Sequence, residues 1–164
     1  MKKSLTFVIL ILIVSSRVQA GPDKLPSFIL PDPQGGMHSS AQLVANGLVV
    51  IITSPILKDK SAQEGWSRDL VASRGSHPAS IILIEDMTAS AFQGIAASHM
   101  KKDWEPGTLP ILLEDKTGKV HAAFDVGKNQ TKVFVYDKVG SLIYSTISAP
   151  SMAGAKTVWS KLSK

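Results

Sequence analysis

The chain has 164 residues, no cysteine and a formal net charge of +5. This length suits one domain that can bury a single core. The absence of cysteine excludes disulfide bonds and every reaction of a cysteine thiolate.

Residues 1–20 have the three-part layout of a cleavable secretory signal. Lys2 and Lys3 give the segment a positive start, residues 5–14 are apolar apart from one threonine, and Val18-Gln19-Ala20 supplies small residues before the cleavage point. The apolar run is about half the length that a membrane-spanning helix needs. No cysteine follows it, so an N-terminal lipid anchor on cysteine is excluded. We therefore predict that residues 1–20 are removed on export.

Cleavage leaves residues 21–164 as one predicted domain. It also removes Lys2, Lys3 and Arg17, so the mature chain is only weakly basic. The charge pattern therefore does not favour nucleic-acid binding. We expect a periplasmic protein with no stable membrane span after cleavage, and secretion is the alternative.

Apolar periodicity after residue 26 predicts alternating strands and helices. Leu48–Thr53 is continuously apolar and rich in β-branched residues, which predicts a strand buried on both faces. The later apolar stripes have helical spacing, as in Ala62, Trp66 and Leu70. In chain order the predicted elements are strand 28–30, helix 41–45, strand 48–53, helix 58–73, strand 80–84, a helix with a stripe from Phe92 through His99 to Met100, strand 111–113, helix 119–124, strand 132–136, strand 142–147, and a last helix after Ser151 with Met152, Ala155, Trp159 and Leu162 on one side.

This order predicts the fold class. Alternating strands and helices require crossover connections, which place parallel strands in one sheet with helices on its faces. The turn Asp137-Lys138-Val139-Gly140 joins the last two strands as an antiparallel hairpin. We therefore predict an α/β sandwich with a mixed central sheet of four to five strands flanked by helices.

Three stretches carry patterns of one fold superfamily. Leu25–Gly35 resembles an opening P-x-F-x-L-x-D-x-x-G motif, Leu48–Thr53 matches the strand that precedes an active-site loop, and Val133–Asp137 followed by Gly140 resembles a late T-F-x-I-D-x-x-G hairpin. These patterns resemble the thioredoxin-like superfamily, particularly its peroxiredoxin and thiol-disulfide oxidoreductase branches. The resemblance implies a thioredoxin-like sandwich over residues 21–164.

The chain also departs from that superfamily. The redox cysteines would fall within Pro55–Ser61, which contains none. The oxidoreductases place a cis-proline near the start of the late strand, where this chain has Thr131. The resemblance therefore implies the fold, whereas the sequence excludes thiol-based redox activity.

A closer likeness is to the exported, cysteine-poor YtfJ family of bacterial proteins. It is carried by Ser40–Val44 running into a valine-rich strand and a lysine-rich loop, by Val135–Lys138, and by the lysine-containing terminal helix. This likeness implies the compartment and the fold, and it implies no activity.

A polar loop follows the predicted central strand. Ser54, Lys58, Asp59 and Lys60 lie at the carboxyl end of that strand, just before a helix. Ligands of open α/β sheets bind at this end, and a helix N-terminus favours anions. The loop with Thr131 is therefore a candidate contact surface, and a solvated charged loop is the alternative.

Trp104 is a second candidate contact residue. It lies in a loop rich in proline and glycine, beside Lys101 and Lys102. An exposed aromatic ring there would form a contact patch, whereas a buried ring would anchor the loop.

The histidines predict no metal site, because none has metal-ligand spacing to another histidine. His99 with Asp103 and His121 with Asp125 are spaced as local helical pairs. The chain has no G-x-S-x-G motif and no phosphate-binding glycine loop, so neither a cofactor nor a catalytic residue is predicted.

These observations favour an exported, cysteine-free binding or adaptor module that contacts an envelope protein. One alternative is a cysteine-independent enzyme or a small-ligand-binding protein that uses the carboxyl end of the sheet. Another is an inactive relative of a thiol-disulfide oxidoreductase or peroxiredoxin.

Overall fold

The computed structural model describes residues 21–53, 60–89, 98, 101–102, 104–127 and 130–163. The predicted signal, residues 54–59 and the predicted Phe92–Met100 stripe lie outside the described residues. The elements are β1 (Ile29–Pro31), β2 (Met37–Ser39), α1 (Ser40–Leu43), a short 3-10 helix (Val44–Asn46), β3 (Leu48–Thr53), α2 (Lys60–Ser73), β4 (Ser80–Asp86), a second 3-10 helix (Met87–Ala89), β5 (Ile111–Asp115), α3 (Lys119–Ala123), β6 (Thr131–Tyr136), β7 (Leu142–Thr146) and α4 (Met152–Leu162).

Five strands form one mixed sheet in the order β5-β4-β3-β6-β7. β3 is parallel to β4, and β4 is parallel to β5. β6 is antiparallel to both β3 and β7. The predicted α/β sandwich with a mixed sheet is confirmed. The opening segment adds an antiparallel hairpin, β1–β2, where the sequence predicted a single strand.

β3 is the centre of the molecule. All six of its residues are buried, as its continuous apolar run predicts. β1 and the segment around Phe124 cover one face of the sheet. α2 and α4 cover the other face. The strand is therefore enclosed from both sides, and its carboxyl end at Thr53 is fixed by packing on both faces.

Two tryptophans hold α2 and α4 together. Trp66 is fully buried and donates a hydrogen bond from Nε1 to the Ser148 carbonyl at 3.2 Å. Trp159 donates to the Leu70 carbonyl at 3.1 Å and stacks on His77 with ring centroids 5.2 Å apart. Both rings are core residues, as their helical stripes predict.

The predicted stripe of α4 is wrong at its first residue. Met152 is 42% exposed, whereas Val158, which the stripe omitted, is fully buried. The cause lies in the first turn, where Gly154 rather than Met152 faces α2. A Cβ at Gly154 would lie 3.0 Å from the Trp66 ring. The close approach of the two helices thus turns Met152 outward.

Gly65 permits a second close approach on α2. A Cβ at this position would lie 2.6 Å from Cγ and 3.0 Å from Cβ of Pro150. Glycine weakens a helix interior by about 1 kcal/mol relative to alanine. Here its lack of a side chain admits the proline ring that precedes α4.

We expect Gly65→Ala to destabilise the protein by about 1–3 kcal/mol, because overpacking against the proline ring outweighs the gain in helix propensity. The measurement is urea unfolding of the wild type, Gly65→Ala, Pro150→Ala and the double variant. Removing the ring should relieve most of the Gly65→Ala effect in the double-mutant cycle. Equal costs of Gly65→Ala in both backgrounds would contradict this account.

Candidate functional site

The last residues of the three parallel strands, Thr53, Asp86 and Asp115, define the carboxyl end of the sheet. Thr53 is paired with Thr131, the first residue of the antiparallel strand β6. The two threonines are 5% and 7% exposed. Thr131 Oγ1 donates to Thr53 Oγ1 at 3.1 Å. The Thr131 hydroxyl therefore has its acceptor in a buried position.

His121 lies in α3 and contacts Thr53 as well. It is 8% exposed, and its Nε2 is hydrogen-bonded to the backbone carbonyl of Thr53. A carbonyl oxygen can only accept a hydrogen bond, so Nε2 carries a hydrogen. The histidine thus ties the helix to the end of the central strand.

A local helical pair of His121 with Asp125 requires a helix that extends to Asp125. α3 ends at Ala123, and Asp125 adopts a left-handed backbone with φ 49°. The helical spacing on which the pair depends is therefore broken before Asp125. No sequence signal pointed to Thr53 as the partner, because the two residues are 68 positions apart.

Asp115 positions α3 and hence His121. It is completely buried at the end of β5. Its Oδ2 accepts from the His121 backbone N–H at 2.8 Å, and its Oδ1 accepts from the N–H and hydroxyl of Thr117 at 3.1 and 3.0 Å. The N–H groups of a first helical turn lack partners within the helix. The carboxylate supplies one and places negative charge at the positive end of the helix.

Lys132 adds a buried positive charge beside this network. It is 2% exposed and pairs with Ile52 in the ladder. Its ammonium group lies 5.0 Å from the centre of the Phe134 ring. Burial lowers the pKa of Lys132, and the nearby charge of Asp125 opposes part of that effect. The charge is therefore held within the protein and not presented at its surface.

These contacts define what the carboxyl end can do. Thr131, His121 and Asp115 each bond to another protein group. In the described ranges no three histidine, aspartate or glutamate side chains are grouped as a metal site would require. The same ranges contain no helix long and apolar enough to cross a membrane. The described polar side chains at this end are thus engaged with other protein groups.

The residues predicted as a contact surface do not all lie together. Ser54, Lys58 and Asp59 lie outside the described residues, and Lys60 is the first residue of α2. Thr131 is buried at the carboxyl end of the sheet. Trp104 is half-buried and lies next to the start of β5, an edge strand of the sheet.

The separation follows from the strand order and register. β6 and β5 are three strands apart, which is about 14 Å across the sheet. Ile111 at the start of β5 is level with Val50, about 10 Å before Thr53 along β3. Trp104 and Thr131 therefore belong to two different surfaces.

Trp104 lines a cavity of about 240 Å³, here called the Trp104 cavity. Asp32 and His38 of the β1–β2 hairpin form one side, and Leu109 and Ile111 form the side next to β5. The sequence pattern singled out Trp104 but not Asp32 or His38. The hairpin register, which pairs Leu30 with His38, brings the histidine back toward Asp32.

Asp32 and His38 form a hydrogen-bonded pair within this cavity. Asp32 Oδ2 and His38 Nε2 are 2.8 Å apart. Asp32 Oδ1 accepts the backbone N–H groups of Gln34 and Gly36, each at 2.9 Å. Burial raises the pKa of Asp32, but the hydrogen bonds from His38 and the two backbone groups outweigh it, so the net pKa is lowered. Asp32 is therefore held as a carboxylate.

Comparison of the sequence with known families and with curated proteins gives no match. Solved structures do resemble the fold. Peroxidoxin BcpB from Mycobacterium tuberculosis is 24% identical, with a TM-score of 0.59 over 88% of this chain and 96% of that one. A thiol:disulfide interchange protein of the thioredoxin family from Chlorobium tepidum is 18% identical, with a TM-score of 0.61 over 88% and 99% of the two chains.

A third similar structure is the pneumococcal exposed lipoprotein thioredoxin from Streptococcus pneumoniae. It is 13% identical, with a TM-score of 0.61 over 83% of this chain and 99% of that one. At these identities the likeness shows the fold alone. The chain thus has a thioredoxin-like fold and, having no cysteine, none of the thiols on which redox chemistry depends.

Asp115→Asn should destabilise the protein by about 1–3 kcal/mol, because both carboxylate oxygens accept hydrogen bonds and an amide nitrogen cannot accept. Asp137→Asn is the matched control. Asp137 uses only Oδ1 to accept from the N–H groups of Val139 and Ser141, so its cost should stay below about 0.5 kcal/mol. Urea unfolding measures the loss in free energy of unfolding for each variant. Equal losses for the two variants would contradict the role given to Asp115.

The lowered pKa of Asp32 predicts a pH-dependent contribution to stability. A carboxylate whose pKa is lower in the folded state stabilises the fold above its unfolded pKa, near the ordinary value of 3.8. That contribution is lost as the pH falls through the folded pKa. The difference in free energy of unfolding between wild type and Asp32→Asn should therefore be largest near neutral pH and shrink in acid. Urea titrations at several pH values measure it, and a difference independent of pH would refute the assignment.

Proposed function

We propose that this chain is an exported, non-redox relative of the thioredoxin-like proteins that acts as a binding or adaptor module for an envelope protein. The single observation that carries this proposal is the engagement of polar groups at the carboxyl end of the sheet. Thr131 and His121 each bond to Thr53 there, in a chain without cysteine. A protein that keeps the fold without the thiols is suited to use its surface for contacts.

Export is proposed from the layout of residues 1–20. One of the structures with the same fold is described as an exposed lipoprotein thioredoxin, which is compatible with a role outside the cytoplasm. The likeness of the sequence to the exported YtfJ family points to the same compartment. We propose the periplasm as the location.

The proposed contact surface is the loop that follows β3, residues 54–61. It carries Lys58, Asp59 and Lys60, and α2 begins at Lys60. Thr53, which precedes this loop in the sequence, and Thr131 are both buried. Two lysines at the start of a helix favour an acidic partner surface, because their charges add to the positive end of the helix.

The proposal is tested by crosslinking the mature protein in its native cell envelope and identifying the attached proteins by mass spectrometry. We expect a reproducible partner that is lost in the Lys58→Glu/Lys60→Glu variant. The control is Lys138→Glu/Lys156→Glu, which makes the same charge change at exposed positions away from this loop. The control should keep the partner.

A partner retained by the Lys58→Glu/Lys60→Glu variant would overturn the proposed surface. No partner above background would overturn the adaptor proposal. Circular dichroism of both variants ensures that a loss of binding is not a loss of folding.

A further inference from the structure

We infer that the Trp104 cavity is a binding site for a small, uncharged aromatic molecule that carries one hydroxyl or N–H group, of the size of a phenol or an indole. This site is distinct from the proposed contact surface, since it lies on the hairpin side of the edge strand β5. The inference rests on the size of the cavity, its apolar wall and the hydrogen-bonding state of its polar side.

The volume suits one aromatic ring. The cavity measures about 240 Å³. An apolar cavity of about 150 Å³ is enough to admit benzene. The wall is formed largely by apolar groups: the ring of Trp104 and the side chains of Pro106, Leu109 and Ile111. A flat apolar ring can therefore replace water against this wall.

The walls are held in place by contacts outside the cavity. Leu30, which pairs with His38 in the hairpin, is buried in the core. The Gln34 side chain donates from Nε2 to the Lys101 carbonyl at 3.0 Å. This bond ties the Asp32 turn to the segment that leads into Trp104. The site is thus preformed, which lowers the cost of ordering it on binding.

The polar side of the cavity calls for a hydrogen-bond donor. Asp32 already accepts three hydrogen bonds, and its carboxylate can only accept from His38, so His38 Nε2 carries the hydrogen. The Thr108 hydroxyl donates to the Glu105 carbonyl at 2.6 Å, which leaves its oxygen as an acceptor. A hydroxyl or N–H group on the ligand can use this acceptor.

The charge of the cavity selects against ions. The Asp32 carboxylate lines the cavity and repels an anion. A cation would meet a carboxylate whose oxygens are already engaged by Gln34, Gly36 and His38. An uncharged donor avoids both costs.

Titration of the ¹⁵N-labelled mature protein with phenol, followed through the three indole N–H resonances, tests the inference. Trp66 and Trp159 donate to backbone carbonyls far from the cavity. The indole nitrogen of Trp104 has no hydrogen-bond partner among the described residues. Trp104→Phe identifies its resonance, and the other two serve as internal controls for folding and for nonspecific effects.

We expect the Trp104 resonance to shift in a saturable way while the other two stay in place. Phenol should bind about five- to tenfold more tightly than toluene, because only phenol can donate a hydrogen bond. Benzoate should bind more weakly than phenol, because of the Asp32 charge. Ile111→Phe should fill the cavity and abolish the shift, with unchanged Trp66 and Trp159 resonances showing that the fold is intact.

Three results would overturn the inference. The first is a Trp104 resonance that does not move through the millimolar range, or moves only together with the other two. The second is equal affinity for phenol and toluene, which would remove the donor requirement. The third is tighter binding of benzoate than of phenol, which would contradict the charge argument.

Discussion

The hydrogen bond from His121 to the Thr53 carbonyl ties α3 to the carboxyl end of the central strand. Thr53 is the last residue of the buried central strand, and the chain must leave the sheet there. A buried carbonyl without a partner would cost about 1–3 kcal/mol. His121 satisfies it from a helix that packs on one face of the sheet, and the neighbouring hydroxyl of Thr53 is engaged by Thr131.

That bond depends on a chain of contacts running across the sheet. Asp115 ends the edge strand β5 and holds the first turn of α3 through its carboxylate. α3 in turn carries His121 back across β4 to the central strand β3. Three elements that are distant in sequence are thereby locked at one point. This arrangement fixes the carboxyl end of β3 through contacts between protein groups.

Local sequence patterns predicted the parts of the fold that depend on local physics. The continuous β-branched run Leu48–Thr53 indicated a strand covered on both faces, and helical spacing placed Trp66 and Trp159 in the core. The predicted burial of Met152 in α4 is wrong, because the first turn of α4 contacts α2 through Gly154. Helical periodicity describes one helix, whereas this contact is set by the distance between two helices.

The candidate sites were less predictable because they depend on long-range contacts. The spacing of His121 and Asp125 suggested a helical pair, but the helix ends before Asp125. Asp32 and His38 are six residues apart in a hairpin whose register the sequence did not reveal. Trp104 stands out in its loop, yet Asp32 and His38 across the cavity come from a hairpin near the start of the chain. The role of the loop after β3 rests on its position and charge.

The tautomer of His121 tests the central claim most directly. ¹⁵N NMR of the imidazole ring distinguishes a hydrogen on Nε2 from one on Nδ1 and from a doubly protonated ring. We predict a hydrogen on Nε2 that is scalar-coupled across the hydrogen bond to the Thr53 carbonyl carbon. A ring without a hydrogen on Nε2, or one that exchanges freely between both tautomers as in solvent, would show that this bond does not hold α3 to the carboxyl end of β3.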